Sequence, residues 1–281
     1  MYRISIRMKK ILHLTLMVLL VCVGMTSCNE YTRIQKSTDP IEKYSYAKKY
    51  FNTEKYSWAA ALLDEVVPYL RGTSHGEQAL YLQGRAHYAL KNYGEAQVAF
   101  QQYYTTYPNG EYTELARFYS GYGLAQNIPD PRLDQSKTYE AMRELQQFID
   151  FYPQHERIQE AKQLLFDLQD NLAMKELLNA KLYYDLGNYI FNNYESCIIT
   201  ARNAMKDYPY SMHREEMHYY VVASLYEIAK NSVIDKQQQR LRDLRDEYYN
   251  FINEFPNGKR RKEVDKFFDY AEKHISADAA L

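Results

Sequence analysis

The residues of this chain that could do covalent or acid–base chemistry are few and scattered. The three cysteines are Cys22, Cys28 and Cys197. At these spacings they form neither a disulfide framework nor a zinc set. Cys197 falls on an apolar stripe and reads as a small buried hydrophobe. Seven histidines include no HExxH and no other close ligand pair. His213 and His218 are off one another's face on a helix and read as ordinary surface or groove residues. No P-loop, GxGxxG or GxSxG motif is present. Asp64-Glu65 and Glu215-Glu216 are acidic pairs of the kind helical surfaces carry. No metal and no cofactor are expected, and the chain reads as a non-enzyme. A cell-wall hydrolase would need a clustered acidic or histidine site, which the sequence does not offer. What chemistry remains is at Cys28, directly after Met25-Thr26-Ser27.

The segment before Cys28 explains that thiol. Arg3, Arg7, Lys9 and Lys10 form a positive stretch, followed by the uncharged, mostly apolar Ile11–Met25. That run is short for a spanning helix, which needs about 20 residues, and suits the apolar region of a signal peptide. Small residues before a cysteine at this distance resemble the lipobox of bacterial lipoproteins, with Met25 where Leu is usual. The resemblance implies cleavage before Cys28 and acylation of its thiol, which would hold the chain to a membrane. Removal of residues 1–27 takes four basic residues with it. The 35 Lys and Arg become 31 against 36 acidic residues, a net charge of −5. No global positive field then attracts phosphates, so nucleic acid is not an expected partner.

The rest of the chain is organised by a repeated stretch. Asn92–Pro108 (NYGEAQVAFQQYYTTYP) returns as Asn193–Pro209 (NYESCIITARNAMKDYP), with related endings at Phe148–Pro153 and Phe251–Pro256. Counting back from Pro108, the apolar residues are Tyr107, Tyr104, Tyr103, Phe100 and Ala96, a single stripe on a helix of 3.6 residues per turn. From Pro209 the same positions hold the mostly smaller Tyr208, Met205, Ala204, Ala201 and Cys197. Asn-Gly follows Pro108 and Pro256 as a turn signal. Asp39-Pro40-Ile41-Glu42 opens a first helix to about Asn52, and Ser74-His75-Gly76-Glu77 reads as a capping box. Gly121-Tyr122-Gly123 reads as a close helix-packing site. Pro129-Asp130-Pro131 marks an inserted loop within Asn127–Ser136, and Gln154–Leu186, free of Gly and Pro, predicts one long helix.

Gly84, Ala96, Phe100 and Pro108 resemble the spacing of the tetratricopeptide (TPR) repeat. The expected fold is therefore all-α, an α-solenoid of about five TPR-like helix pairs plus a C-terminal capping helix. The expected layout is a signal peptide at 1–27, a lipidated tether at 28–38 and repeats 1–3 at 39–153. A long helix and repeats 4–5 with their cap follow at 154–275, then a frayed tail at 276–281. First helices of stacked repeats line a shared surface. There the spacing places Tyr44, Tyr81, Phe118 and Tyr122, with Lys48 and Arg85 beside them. These suit an apolar, aromatic-ended peptide and its terminal carboxylate. The alternative is that the rings are buried between helices.

A lipobox followed by TPR-like units resembles the BamD family, outer-membrane lipoproteins of the β-barrel assembly machinery. The run Leu172–Leu177, then Ala180-Lys181-Leu182-Tyr183-Tyr184-Asp185-Leu186-Gly187-Asn188-Tyr189, carries this most specifically. The chain departs from the family in inserting Ile190–Asn193. It also has Thr200-Ala201 where the family carries a basic residue, so Arg202 or Lys206 stand as substitutes for that partner contact. The basic run with Lys259, Arg260 and Arg261 is either a further partner contact or a solvated helix start. The resemblance implies a non-catalytic subunit lipid-anchored on the periplasmic face of the outer membrane. It implies binding to a BamA-like barrel subunit, to other assembly-complex lipoproteins and to unfolded outer-membrane proteins. A different periplasmic TPR lipoprotein, an adaptor in envelope division or nutrient uptake, is the competing reading.

Overall fold

The computed structural model describes residues 30–275. Cys28, the expected signal segment and the tail expected at 276–281 lie outside the described residues. Among the described residues there is no strand. A helical stretch, α1 (30–35), leads into α2 (Pro40–Asn52), α3 (Tyr56–Leu70), α4 (Gly76–Ala89), α5 (Tyr93–Thr106) and α6 (Thr113–Ala125). Then come α7 (Ser136–Phe151), α8 (Ile158–Leu186), α9 (Asn193–Asp207), α10 (Arg214–Lys230), α11 (Ile234–Glu254) and α12 (Arg261–His274). From α2 to α6 and again from α9 to α11 each helix packs against the next, and α12 closes the series against α10 and α11. The fold is an all-helical, TPR-like repeat array. Its long helix runs unbroken from Ile158 to Leu186.

Contacts divide the chain into two units. Unit 1 comprises residues up to Asn127 together with Arg143–Ile158; unit 2 comprises Ile128–Met142 and the residues from Gln159 onward. In unit 1 the repeated stripe is the core: Ala96, Phe100 and Tyr103 are fully buried. A Cβ on Gly84 would stand 2.6 Å from the Phe100 ring, so glycine is what lets α4 cross α5 this closely. Gly121 does the same for Leu145, where a Cβ would meet the side chain at 2.9 Å. In unit 2 the smaller set, Cys197, Ala201, Ala204 and Met205, is buried with Ala173, Leu177, Ala180 and Val221. Burial pushes the Cys197 thiol up to about 11, which leaves it a neutral packing group.

Three expectations need correction. The stretch expected to be part of a loose tether is folded onto unit 1: Ile34 is fully buried, and Tyr31 stacks on Trp58 at 4.8 Å. One apolar residue and one ring per turn of α1 are enough to dock it. At the second helix start, His75 is the N-cap and makes no side-chain capping bond. Glu77 is committed elsewhere, accepting from the Tyr103 hydroxyl (2.6 Å) and the Glu111 N–H (2.8 Å). Finally, His218 is not a surface residue. It is buried against Phe251, with Nε2 3.0 Å from Glu247 and Nδ1 3.4 Å from Glu254.

Candidate functional site

Helices α2, α4 and α6 are the first members of successive pairs, and their side chains build one continuous band in unit 1. Tyr44 on α2 is buried and donates its hydroxyl to Gln78 Oε1 at 2.7 Å. Lys48, one turn on, donates to the same oxygen at 3.0 Å, and its ammonium lies 5.4 Å from the Tyr44 ring centre. Burial, then the neighbouring Tyr112, pushes the Tyr44 phenol up to about 12. Tyr81 on α4 is buried and stacks flat on Tyr112 at 4.2 Å. Arg85 donates to the Tyr81 hydroxyl at 3.2 Å and lays its guanidinium 4.6 Å over Tyr119. Phe118 on α6 is fully buried, with Arg157 5.1 Å above it. Tyr122 is half-buried between Phe118 and Tyr88.

This corrects the expected groove. Tyr44, Tyr81 and Phe118 do not face a ligand as exposed anchors; they are its floor. A ring four residues before a long cation is covered by that cation's apolar stem on the same helix face. What reaches the surface is the layer above, formed by Lys48, Arg85 and Tyr122 together with Tyr112, Tyr119 and Arg157, which the sequence spacing did not mark. In the third repeat Tyr122 stands where the first two have Lys48 and Arg85. Arg157, far along the chain, takes the place above Phe118, so no local spacing revealed it. Arg117 lies apart from this layer, 4.2 Å over Tyr104 of α5 and 4.9 Å over Phe151 of α7. Within the layer, the Nε of Arg85 is buried with no hydrogen-bond partner among the described residues. The layer can offer guanidinium donors to a carboxylate while aromatic faces hold apolar groups.

A second device recurs at the turns between pairs. Glu77 accepts from the Glu111 N–H, Asp170 from the Met212 N–H (3.0 Å) and Ser211 hydroxyl (2.6 Å), and Glu215 from the Arg260 N–H (2.9 Å). Each carboxylate thus ties a helix to the turn that opens the following helix or pair. The Asn-Gly signal has its reason here. Neither Gly110 nor Gly258 has positive φ. A Cβ on either would lie 2.6 Å from the clasping carboxylate oxygen. Glu77→Ala orphans a Tyr103 hydroxyl and a backbone N–H, and is expected to cost about 1–3 kcal/mol in urea unfolding. Gly110→Ala should lose a similar part of the clasp, and wild-type stability in both variants would refute the clasp.

The partner-contact candidates divide. Arg202 is half exposed and donates to Glu247 at 2.8 Å. Arg260 is held by Glu216 and Glu263 and covers Tyr219 at 4.5 Å, and Arg261 pairs with Asp265. Their charge is used within unit 2, which explains the basic start of α12 without a partner. Lys206 and Lys259 are exposed. Among the described residues no group of three or more His, Cys, Asp or Glu side chains gathers as a metal site, and no helix is long and apolar enough to cross a membrane.

A search of curated proteins gave no match. A TPR repeats protein from Bacteroides fragilis, known from a crystal structure, is similar over 85% of this chain and 100% of its own, at 15% identity and a TM-score of 0.42. The family model YfiO, described as outer membrane lipoprotein, matches residues 36–191, more than half of the chain. The chain belongs to this family of outer membrane lipoproteins.

Proposed function

We propose that the chain is a non-catalytic, lipid-anchored scaffold of outer-membrane β-barrel assembly. It is held through Cys28 on the periplasmic face, binds a barrel-forming subunit through unit 2 and presents the band of unit 1 to unfolded outer-membrane proteins. The observation that carries this reading is the layer of Lys48, Arg85 and Arg157 over a floor of buried rings. Such a layer suits a chain end with an aromatic side chain and a free carboxylate. Family membership supports the membrane and the lipid, and the resemblance of Leu172–Tyr189 supports the assembly role.

Two measurements test it. Solubilised gently from its membrane, the protein should co-purify with a β-barrel protein bearing periplasmic domains; a preparation without any such barrel overturns the assembly role. A peptide ending in an aromatic residue and a free carboxylate should bind, and Arg85→Ala should weaken it roughly tenfold, as for one charge-assisted hydrogen bond. The same peptide amidated at its end should bind wild-type and variant equally. Equal loss with both peptides would remove the carboxylate from the reading.

A further inference from the structure

Unit 2 exposes large apolar side chains at two neighbouring turns. In the α8–α9 turn Tyr189, Ile190 and Phe191 are 71%, 74% and 77% exposed, and at the α10–α11 turn Val233 and Ile234 are 66% and 86% exposed. The turns lie on one edge, because each joins the two helices of a pair and the pairs are adjacent. Tyr184 contacts both Tyr194 and Tyr220, at 5.7 and 5.4 Å. Burial first, then the Glu227 carboxylate of the last turn of α10, push the Tyr194 phenol up, and Lys230 opposes them. Gln238, one turn into α11, donates to the His274 carbonyl at 3.1 Å, so α12 ends on the same edge.

The α8–α9 tip is held in place. The Phe191 N–H donates to the Tyr189 carbonyl at 2.9 Å across Ile190, whose φ is +66°. A β-branched residue there is strained and persists only when its surroundings fix it. Asn193 supplies the fixing: its side-chain amide donates to the carbonyls of Gly187 (3.1 Å), Tyr189 (2.9 Å) and Phe191 (3.2 Å). Nothing in the turn's construction asks for apolar residues. At the corresponding turns of unit 1 the residues with positive φ are Glu54 and Lys91. The apolar tips are therefore a property of this edge rather than of the repeat.

We propose that this edge is a lipid-contact edge, in which Tyr189–Phe191 and Val233–Ile234 enter the interfacial layer of a phospholipid bilayer and orient unit 2 on it. The inference rests on the reading of the chain as a lipid-anchored protein. The layering fits: uncharged aromatic and aliphatic tips, then Asn188, Asn192 and Ser232, then the exposed Lys230, Lys236 and Lys273. This is the order of hydrocarbon, interface and headgroup. A bilayer also accepts two separate convex tips without a matching pocket. Glu195, Asp235 and Glu272 stand among the lysines, so the edge has no strong positive charge. Insertion should then hold in zwitterionic lipid and at high salt.

The test uses the full, lipidated protein in phosphatidylethanolamine–phosphatidylglycerol vesicles. An environment-sensitive dye is placed on Ile190→Cys, on Ile234→Cys or on Met212→Cys, an exposed apolar position in the α9–α10 turn at the other edge of unit 2. Cys197 is buried and should escape labelling. The dyes at 190 and 234 should shift to the blue, brighten several-fold and be quenched by spin-labelled lipid, in high salt as well as low. The dye at 212 should report water. Vesicle flotation separates the failures. If the protein floats but positions 190 and 234 report water, the edge does not touch lipid and the inference is overturned. If shielding appears only after membrane proteins are added, the edge meets a protein and the inference is again overturned. If the protein does not float, the anchor reading fails and takes the inference with it.

Discussion

Phe100→Ala should lower the stability of unit 1 by about 3–5 kcal/mol, the range for emptying a fully buried aromatic site. Phe100 has no exposed surface; its ring lies 6.0 Å from Tyr81 and 5.7 Å from Tyr119, and the Gly84 backbone closes it from α4. Gly84→Val attacks the same contact from the other side. Its Cβ would stand 2.6 Å from a ring with nowhere to move, and overpacking of this kind costs about 1–3 kcal/mol or more. Combined, the two changes should cost less than their sum, because the valine methyls enter the space the ring has left. A coupling of about 0.5–3 kcal/mol is expected for residues in direct contact. The chain's one tryptophan, Trp58, is in unit 1, stacked on Tyr31 and edge-on to Tyr50. Urea unfolding followed by its fluorescence therefore reads this unit. An additive double variant, or a neutral Gly84→Val, would show that the glycine is not there for the ring.

That contact was legible in the sequence because it is periodic. Gly84, Ala96 and Phe100 recur at spacings fixed by helix geometry, so the pairing of α4 with α5 follows from the residues alone, as do the stripe ending at Pro108 and its copy ending at Pro209. The long helix α8 was readable for a related reason: nothing in its sequence breaks a helix. The candidate site was only half legible. Tyr44 with Lys48 and Tyr81 with Arg85 share a face through four-residue spacing, and they do meet. Whether a ring is floor or surface depends on what covers it, and the covering residues Tyr112 and Arg157 come from other segments. Tertiary contacts of this kind leave no period in the sequence.

The carboxylate clasps were hidden for the same reason. Glu77, Asp170 and Glu215 look like surface acids, and their partners are N–H groups 34, 42 and 45 residues away. Only the glycines of two of them, Gly110 and Gly258, gave a sign, and Asn-Gly had a sufficient local explanation as a turn. The clasps matter because they lock one helix onto the next pair, which is how a repeat array keeps a surface band such as Lys48–Arg85–Arg157 in register. A scaffold of this kind needs stiffness between pairs more than chemistry within them.

Glu247→Ala should be the most damaging single change among the charged residues of unit 2, at about 3 kcal/mol, the upper end for orphaning a buried polar partner. Glu247 joins three helices. It lies on α11, takes Arg202 of α9 at 2.8 Å and stands 3.0 Å from Nε2 of His218 on α10. Without it His218 keeps Glu254 at 3.4 Å on its other nitrogen, and the Nε2 side is left buried beside Phe251. Burial alone would raise the Glu247 carboxyl. The hydrogen bond from His218 and the charge of Arg202 outweigh it and hold the group below its ordinary range. A carboxylate depressed in the folded state binds fewer protons there than in the unfolded chain. Its stabilisation is complete above the unfolded value of about 4.3 and disappears as pH falls through the lower folded value. Glu247→Gln, which keeps an acceptor oxygen, should therefore cost less than alanine at neutral pH and flatten the acid side of the stability profile. Hydrogen exchange of α10 and α11 peptides reads this in unit 2, where Trp58 is silent. A glutamine variant that tracks wild type down the acid limb would mean that Glu247 is not the group whose protonation loosens these helices.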